Sequence, residues 1–256
     1  MIHIATAEWA HLPFDLAAWA SGAVLGAVLY RWRLKEAVQS LALSTGPGYF
    51  GALIAGAIPG AWIAGSVNTL REPFATLSHS VLGALAGAIV GVEIYKTLRG
   101  VKGSTGGVFT GPFALGVVIG RFGCLFAGLP DRTFGIPTTL PWGVDLGDGI
   151  ARHPVQIYES AAMALFLVAY LLGLRDRKPW ALERGFYAMA AWYGLQRFGW
   201  EFLKPYPKVA GPFDIFHLIS LAVALYGCLF YARSLGGERC AKDRALPVLR
   251  ADDQPV

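Results

Sequence analysis

Charge is scarce in this chain. Only 15% of its 256 residues are Asp, Glu, Lys or Arg, against about 25% in soluble domains. Hydrophobic residues make up 55% and mean hydropathy is +0.47, which argues against an array of soluble domains. Cysteine is rare too: Cys124, Cys228 and Cys240 form no CxxC and show no paired or metal-ligand spacing. That excludes a disulfide framework and gives no reason to expect a metal or cofactor. Neither a phosphate-cradling P-loop nor a Ser-His-Asp pattern is present, and no internal repeat is visible. No Lys or Arg precedes Arg31, so a secretory signal with a basic start is not expected. With no cysteine near Met1, N-terminal lipidation of the chain itself is not expected either. The net charge of +5 reflects loop residues that set topology and does not point to nucleic acid.

What the chain has in quantity is apolar runs long enough to span a bilayer. Seven are read: Phe14 to Tyr30, Gly48 to Val67, Phe74 to Tyr95, Gly106 to Leu129, Val155 to Leu174, Gly185 to Leu203, and Phe213 to Ala232. The predicted fold class is all-α, a polytopic membrane protein. Pro59 lies in the middle of the second span and is expected to kink or break it. The 32 glycines fit close helix packing in lipid. One membrane domain, residues 1–235, and a disordered cytoplasmic tail, 236–256, are expected.

Basic residues orient the spans. Fifteen (Arg31, Arg33, Lys35; Lys96, Arg99, Lys102; Arg175, Arg177, Lys178, Arg184; Arg233, Arg239, Lys242, Arg244, Arg250) fall in one set of loops. Five (Arg71, Arg132, Arg152, Lys204, Lys208) fall in the other. By the positive-inside rule the N-terminus lies outside and the C-terminus is cytoplasmic. The longest loop, Pro130 to Pro154, then lies outside; a loop of that length in a compact protein is either functional or mere surface.

The remaining two basic residues, Arg121 and Arg197, sit inside apolar runs. A guanidinium keeps its charge and is costly at hydrocarbon depth, so each marks a candidate site. Arg121 is nine residues before Pro130 and Arg197 eight before Pro205, which puts both roughly 12–13 Å below the outer ends of their helices. One phosphate held by both arginines requires such matched depth, and a lipid phosphate is the obvious anion. The alternative is that Arg197 pairs with Glu201 at i,i+4 while Arg121 snorkels. Tyr193, Arg197 and Glu201 share a helix face: Glu201 can orient the guanidinium and Tyr193 can donate to a phosphate oxygen, or the ladder simply neutralises a charge. His153 before Pro154 reads as a helix entry and is a candidate base at the outer surface. Glu159 falls in the early turns, where a carboxylate suits the helix dipole. His79 and His217 read as interfacial residues, and the eight tryptophans as a belt.

Four stretches carry a resemblance: GRFGC at Gly120 to Cys124, PWGV at Pro141 to Val144, RHPVQIYE at Arg152 to Glu159, and YGLQRFGWEFLKP at Tyr193 to Pro205. In order and spacing they resemble the bacterial prolipoprotein diacylglyceryl transferase family. The resemblance implies a transferase of the bacterial inner membrane. It would move a diacylglyceryl group from phosphatidylglycerol to the cysteine thiol of a prolipoprotein and release glycerol phosphate. Arg121 and Arg197 resemble the family's two essential arginines, with Gly120 and Gly123 around the first and Tyr193 and Glu201 beside the second. Arg152, His153, Gln156, Tyr158 and Glu159 match its RHPxQxYE motif. The nucleophile would come from the substrate, and fixed arginines would stabilise charge on the departing phosphate. The chain departs from the family pattern at Cys124, Ala127 and Leu129, which stand where the family has Asn, Asn and Glu, and at Leu82, which stands for a histidine; His79 is one turn away. Rival readings are a related transferase with another acceptor, or a non-catalytic lipid-binding or transport protein. Cys124 shares a helix face with Arg121 and is expected to be an inert packing residue.

Overall fold

The computed structural model describes the backbone of residues 1–69 and 77–251, and the side chains of these except 40–44, 69 and 237–251. Helices dominate: α1 His11–Leu29, α2 Lys35–Thr45, α3 Gly48–Thr69, α4 Val81–Arg99, α5 Gly107–Ala127, α6 Val155–Arg175, α7 Pro179–Glu183, α8 Gly185–Glu201 and α9 Ile215–Ala251. The strands β1 Ile2–His3 and β2 Val144–Asp145 are two residues each and pair in parallel. Among the described residues six helical segments are long and apolar enough to cross a bilayer, which makes this an all-α polytopic membrane protein. Outward-facing Trp19, Val24 and Val28 on α1, Ile54 and Ile58 on α3, and Val90 and Ile94 on α4 are exposed. Apolar surface of that extent belongs against lipid.

The seventh expected span is α8, at 17 residues. At 1.5 Å per residue it reaches about 26 Å, short of a hydrocarbon core of about 30 Å. It packs along α9 and against α6, so it need not present an apolar surface all round. The third span begins at Val81; the expected start at Phe74 lies outside the described residues. Ser80 caps α4 by accepting a hydrogen bond from the Gly83 amide at 3.3 Å, and Gly100, at φ +68°, closes the helix in the left-handed conformation. The helical backbone of α9 continues to Ala251, while the expected tail from 236 lies mainly outside the described side chains.

Pro59 does not interrupt α3, contrary to the local expectation. The reason lies in its partner. A Cβ on Gly56 would fall 2.1 Å from the carbonyl oxygen of Gly87, and one on Gly60 2.5 Å from that of Gly83. This glycine seam flanks Pro59 on both sides and holds both halves of α3 to one helix, α4. Elsewhere α1 lies on α5, α5 on α6, and α8 on α9. The main core gathers Leu29, Leu82, Ala114, Met163, Met189 and Tyr193 among others. Just past α1, Arg33 donates through Nε to the Leu174 carbonyl at 3.1 Å, which ties the end of α6 to the segment after α1.

The long loop is ordered and folds over the cluster end of the bundle. Amide N–H groups of Gly147, Asp148 and Gly149 donate to Asp145 Oδ1 at 2.9, 3.1 and 2.9 Å. His3 adds its Nδ1 at 2.9 Å to Asp145 Oδ2. The amide of Ile136 donates to the Leu203 carbonyl at 2.8 Å, tying the loop to the end of α8.

Candidate functional site

Arg121 and Arg197 do converge on one anion, and it is a carboxylate of the protein. Arg121 pairs through Nε with Glu159 Oε2 and Arg197 through Nη1 with Glu159 Oε1. Helix α5 supplies the first arginine, α8 the second, and α6 the acid between them. The i,i+4 alternative holds as well: Arg197 Nη2 is 3.2 Å from Glu201 Oε2. Arg121 does not snorkel, since only 11% of its side chain is exposed. Lys204, which sequence reasoning counted as a loop residue, turns inward from just past α8. Its Nζ is 2.6 Å from Glu159 Oε1 and 3.6 Å from Glu201 Oε2. Its i,i+3 spacing from Glu201 and i,i+7 spacing from Arg197 are the signals that could have found it.

Three cations therefore face two carboxylates, a formal surplus of one positive charge. Glu159, Glu201, Arg197 and Lys204 are buried. Burying ions costs several kcal/mol each unless they are paired; here every one has an opposite partner, and the surplus is cationic. Arg197 Nε is buried without a hydrogen-bond partner, so a donor of the cluster still has capacity. Tyr193 is fully buried one turn from Arg197, with its ring edge-to-face on Phe113 at 5.1 Å. Phe113 in turn lines an apolar cavity of about 310 Å³ between α4, α5, α8 and α9, with Leu85, Ile89, Phe109, Phe186 and Tyr226. The charged cluster and the apolar cavity thus meet at an aromatic pair.

The rest of the expected site divides. Gln156 is buried one turn before Glu159 and donates through Nε2 to Thr133 Oγ1 at 3.4 Å. A Cβ on Gly120 meets nothing within 4 Å, whereas one on Gly123 would lie 2.9 Å from the Phe14 Cβ. Gly123 therefore serves the α1–α5 approach. Arg152 does not join the cluster. Its guanidinium grips both oxygens of Asp148 at 2.6 and 2.7 Å and lies over Phe134, because the loop folds back on itself. That bond holds the Asp148 carboxyl below its ordinary value, and the bond from the Gly147 amide does the same for Asp145. His153 also stands apart from the arginines, its Nδ1 3.5 Å from the Tyr158 hydroxyl. Tyr158 accepts from Trp142 Nε1 at 2.9 Å and leans on Trp200. His79 stacks obliquely near Trp62. His217 is buried against Asp214 at 2.9 Å, a structural pair.

Two residues beside the cluster escaped the sequence reading. His11 opens α1, and its Nε2 makes a short contact with Oδ1 of Asp131 in the turn after α5. Thr133 donates to the other oxygen of that carboxylate. Cys124 Sγ lies 3.6 Å from Arg121 Nη1. Burial raises the Asp131 carboxyl, but hydrogen bonds from His11 and Thr133 outweigh it and hold the group below the usual aspartate value.

These helices and this cluster define a multi-pass membrane protein built round a buried cationic cluster of side chains. Residues 73–233 match the prolipoprotein diacylglyceryl transferase family, and the chain belongs to that family. Relatives named phosphatidylglycerol–prolipoprotein diacylglyceryl transferase include one from Geobacter sulfurreducens, 34% identical over 121 residues, covering 44% of this chain and 44% of the relative. One from Finegoldia magna is 30% identical over 122 residues, 48% and 47% of the two chains. One from Fervidobacterium nodosum is 28% identical over 171 residues, 61% and 56% of the two chains. The chain spans about half the length of the curated relatives it matches. No solved structure matches it significantly.

Proposed function

We propose that this protein transfers the diacylglyceryl group of phosphatidylglycerol to the cysteine thiol of a prolipoprotein, releasing glycerol phosphate, in the bacterial inner membrane. The carrying observation is the buried cluster with its surplus cation beside an apolar cavity. A phosphodiester carries one negative charge, which matches that surplus. In this reading the lipid phosphate displaces Glu159 as the shared anion of Arg121 and Arg197, and Glu159 turns to Lys204. Glu201 keeps the Arg197 fork oriented, and Tyr193 and Gln156 line the headgroup path. The acyl chains occupy the cavity beyond Phe113. As the glyceryl carbon–oxygen bond breaks, negative charge grows on the departing phosphate, and fixed guanidiniums in a dry site stabilise it. His153, half-buried in the loop over the cluster, takes the proton of the acceptor thiol. Arg152 and Tyr158 hold that loop in place. The names of the relatives support the donor, the acceptor and the reaction.

The membrane unit is residues 1–235, with the N-terminus outside and the tail from 236 cytoplasmic, as the loop charges favour. The test is purified protein with phosphatidylglycerol vesicles and a prolipoprotein peptide bearing its cysteine. Modified peptide with an equal amount of glycerol phosphate is the expected result. Lipid binding without either product would overturn the reading.

A further inference from the structure

His11, Cys124 and Asp131 come from α1, the last turn of α5 and the turn that follows it. One nitrogen, the sulfur and one carboxylate oxygen of the three all lie within 4.8 Å of one another. Cys124 is a free thiol, and all three side chains are half-buried. A zinc-class ion binds such donors at about 2.0–2.3 Å, so its ligands sit roughly 3–4 Å apart in a tetrahedron. Thiolate with imidazole and a single carboxylate is a donor set for zinc rather than for magnesium or calcium, which take oxygen. An orienting partner is also in place: Thr133 donates to the far oxygen of Asp131, and such an outer partner fixes the carboxylate of a ligand set.

We propose that His11, Cys124 and Asp131 form a three-ligand site for a zinc-class divalent cation whose open fourth position takes the sulfur of the acceptor cysteine. The second half rests on the transferase reading above; the first does not. Three protein ligands with one open position is the arrangement of a reactive zinc site, and a thiol bound there is deprotonated outright. Arg121 links the two centres: its Nη1 faces Cys124 and its Nε faces Glu159. Sulfur held at the fourth position thus lies next to the phosphate site. The thiol proton passes to His153 as the sulfur coordinates. A sulfur lone pair then forms the S–C bond to the glyceryl carbon as that carbon's bond to the phosphate oxygen breaks. The bonding electrons depart with glycerol phosphate, held by Arg121 and Arg197. This assignment replaces the expectation that Cys124 is inert, which rested on its position in one helix alone.

The experiment uses the full chain in detergent, stripped with a chelator and titrated separately with Zn²⁺ and Co²⁺. One equivalent of either should bind, and the cobalt form should show a thiolate-to-metal charge-transfer band. Cys124→Ser should abolish the band. His11→Ala and Asp131→Asn should weaken zinc binding at least about tenfold, a loss found even for outer partners. Melting of the metal-free variants should match the parent, which separates lost ligation from misfolding. Absence of stoichiometric binding, or binding indifferent to Cys124→Ser, overturns the site. Adding a prolipoprotein peptide should then shift the cobalt spectrum, and its Cys→Ser analogue should not. Metal binding without that shift overturns thiol activation and leaves the cation site standing. A shift without turnover of phosphatidylglycerol leaves the cation site standing and sinks the transferase reading, and with it the role of the fourth position in transfer.

Discussion

Lys204 holds its ammonium nitrogen 2.6 Å from Oε1 of Glu159, and neither side chain meets solvent. A residue from beyond the last turn of α8 thus serves as the third cation on a carboxylate that two arginines already share. Removing the acid and removing the lysine should differ sharply. Glu159→Gln leaves three buried cations against one carboxylate and should cost about 3–5 kcal/mol, the usual penalty for breaking a buried pair. Lys204→Met removes the surplus cation, leaves two charges of each sign, and should be close to neutral in stability. Melting curves in detergent decide it, and equal losses in the two variants would contradict the charge arrangement described here.

The arginines themselves should show in turnover rather than in folding yield. Arg121→Ala and Arg197→Ala should each lower the rate by at least about 100-fold, the scale of losing one charge-stabilising donor. Lysine at either position should rescue poorly, because an ammonium lacks the planar fork. Release of glycerol phosphate from radiolabelled phosphatidylglycerol is the readout, and parental rates in both alanine variants would remove the phosphate from this site.

How much of this was legible in sequence depends on the range of the signal. Arg121 and Arg197 were legible because a charge inside an apolar run is conspicuous, and their matched depth anticipated that they would meet. The meeting point, Glu159, was named as a helix-entry acid and a motif residue but not as the partner of the two arginines, since one-dimensional spacing does not show which face of α6 turns toward α5 and α8. Lys204 was hidden by its place: a lysine just past a span reads as a flanking charge. His11 meets Asp131 across 120 residues, and no local pattern encodes such a contact. Pro59 failed in the other direction, for a local rule was overruled by the glycine seam to α4. The helical class and six of the seven spans needed only hydropathy and length.

The loop histidine has a distinct signature. His153→Ala should slow transfer to the peptide about 100-fold, within the range for a lost general base, while leaving phosphatidylglycerol binding unchanged. The acidic limb of the pH–rate profile should disappear with it. An unaltered limb would place the proton acceptor elsewhere and make His11 the next residue to substitute.

Acid should loosen the loop by a predictable route. Asp145 and Asp148 both have folded-state values below the ordinary one. Their contribution is therefore complete above the unfolded aspartate value of about 3.9 and is lost as pH falls through the folded values. Hydrogen exchange at the amides of Gly147 and Gly149, corrected for intrinsic rates, should stay slow from neutrality down to about pH 4 and rise only below it. Opening near pH 6 would show that groups other than these two carboxylates hold the loop.

The pairing of β1 with β2 also sets an order of events during synthesis. His3 is made first, and its partner Asp145 follows 142 residues later. At about 5–20 residues per second, the first strand waits roughly 7–28 s for its mate. Throughout that interval the leading residues have no template, and α1 through α5 must already be threaded before the clasp can fasten. The strand that completes the loop is therefore the earliest part of the chain, so a bulky fusion placed directly before Met1 would act on the fastening of this clasp, while α6 to α9 are still to be made.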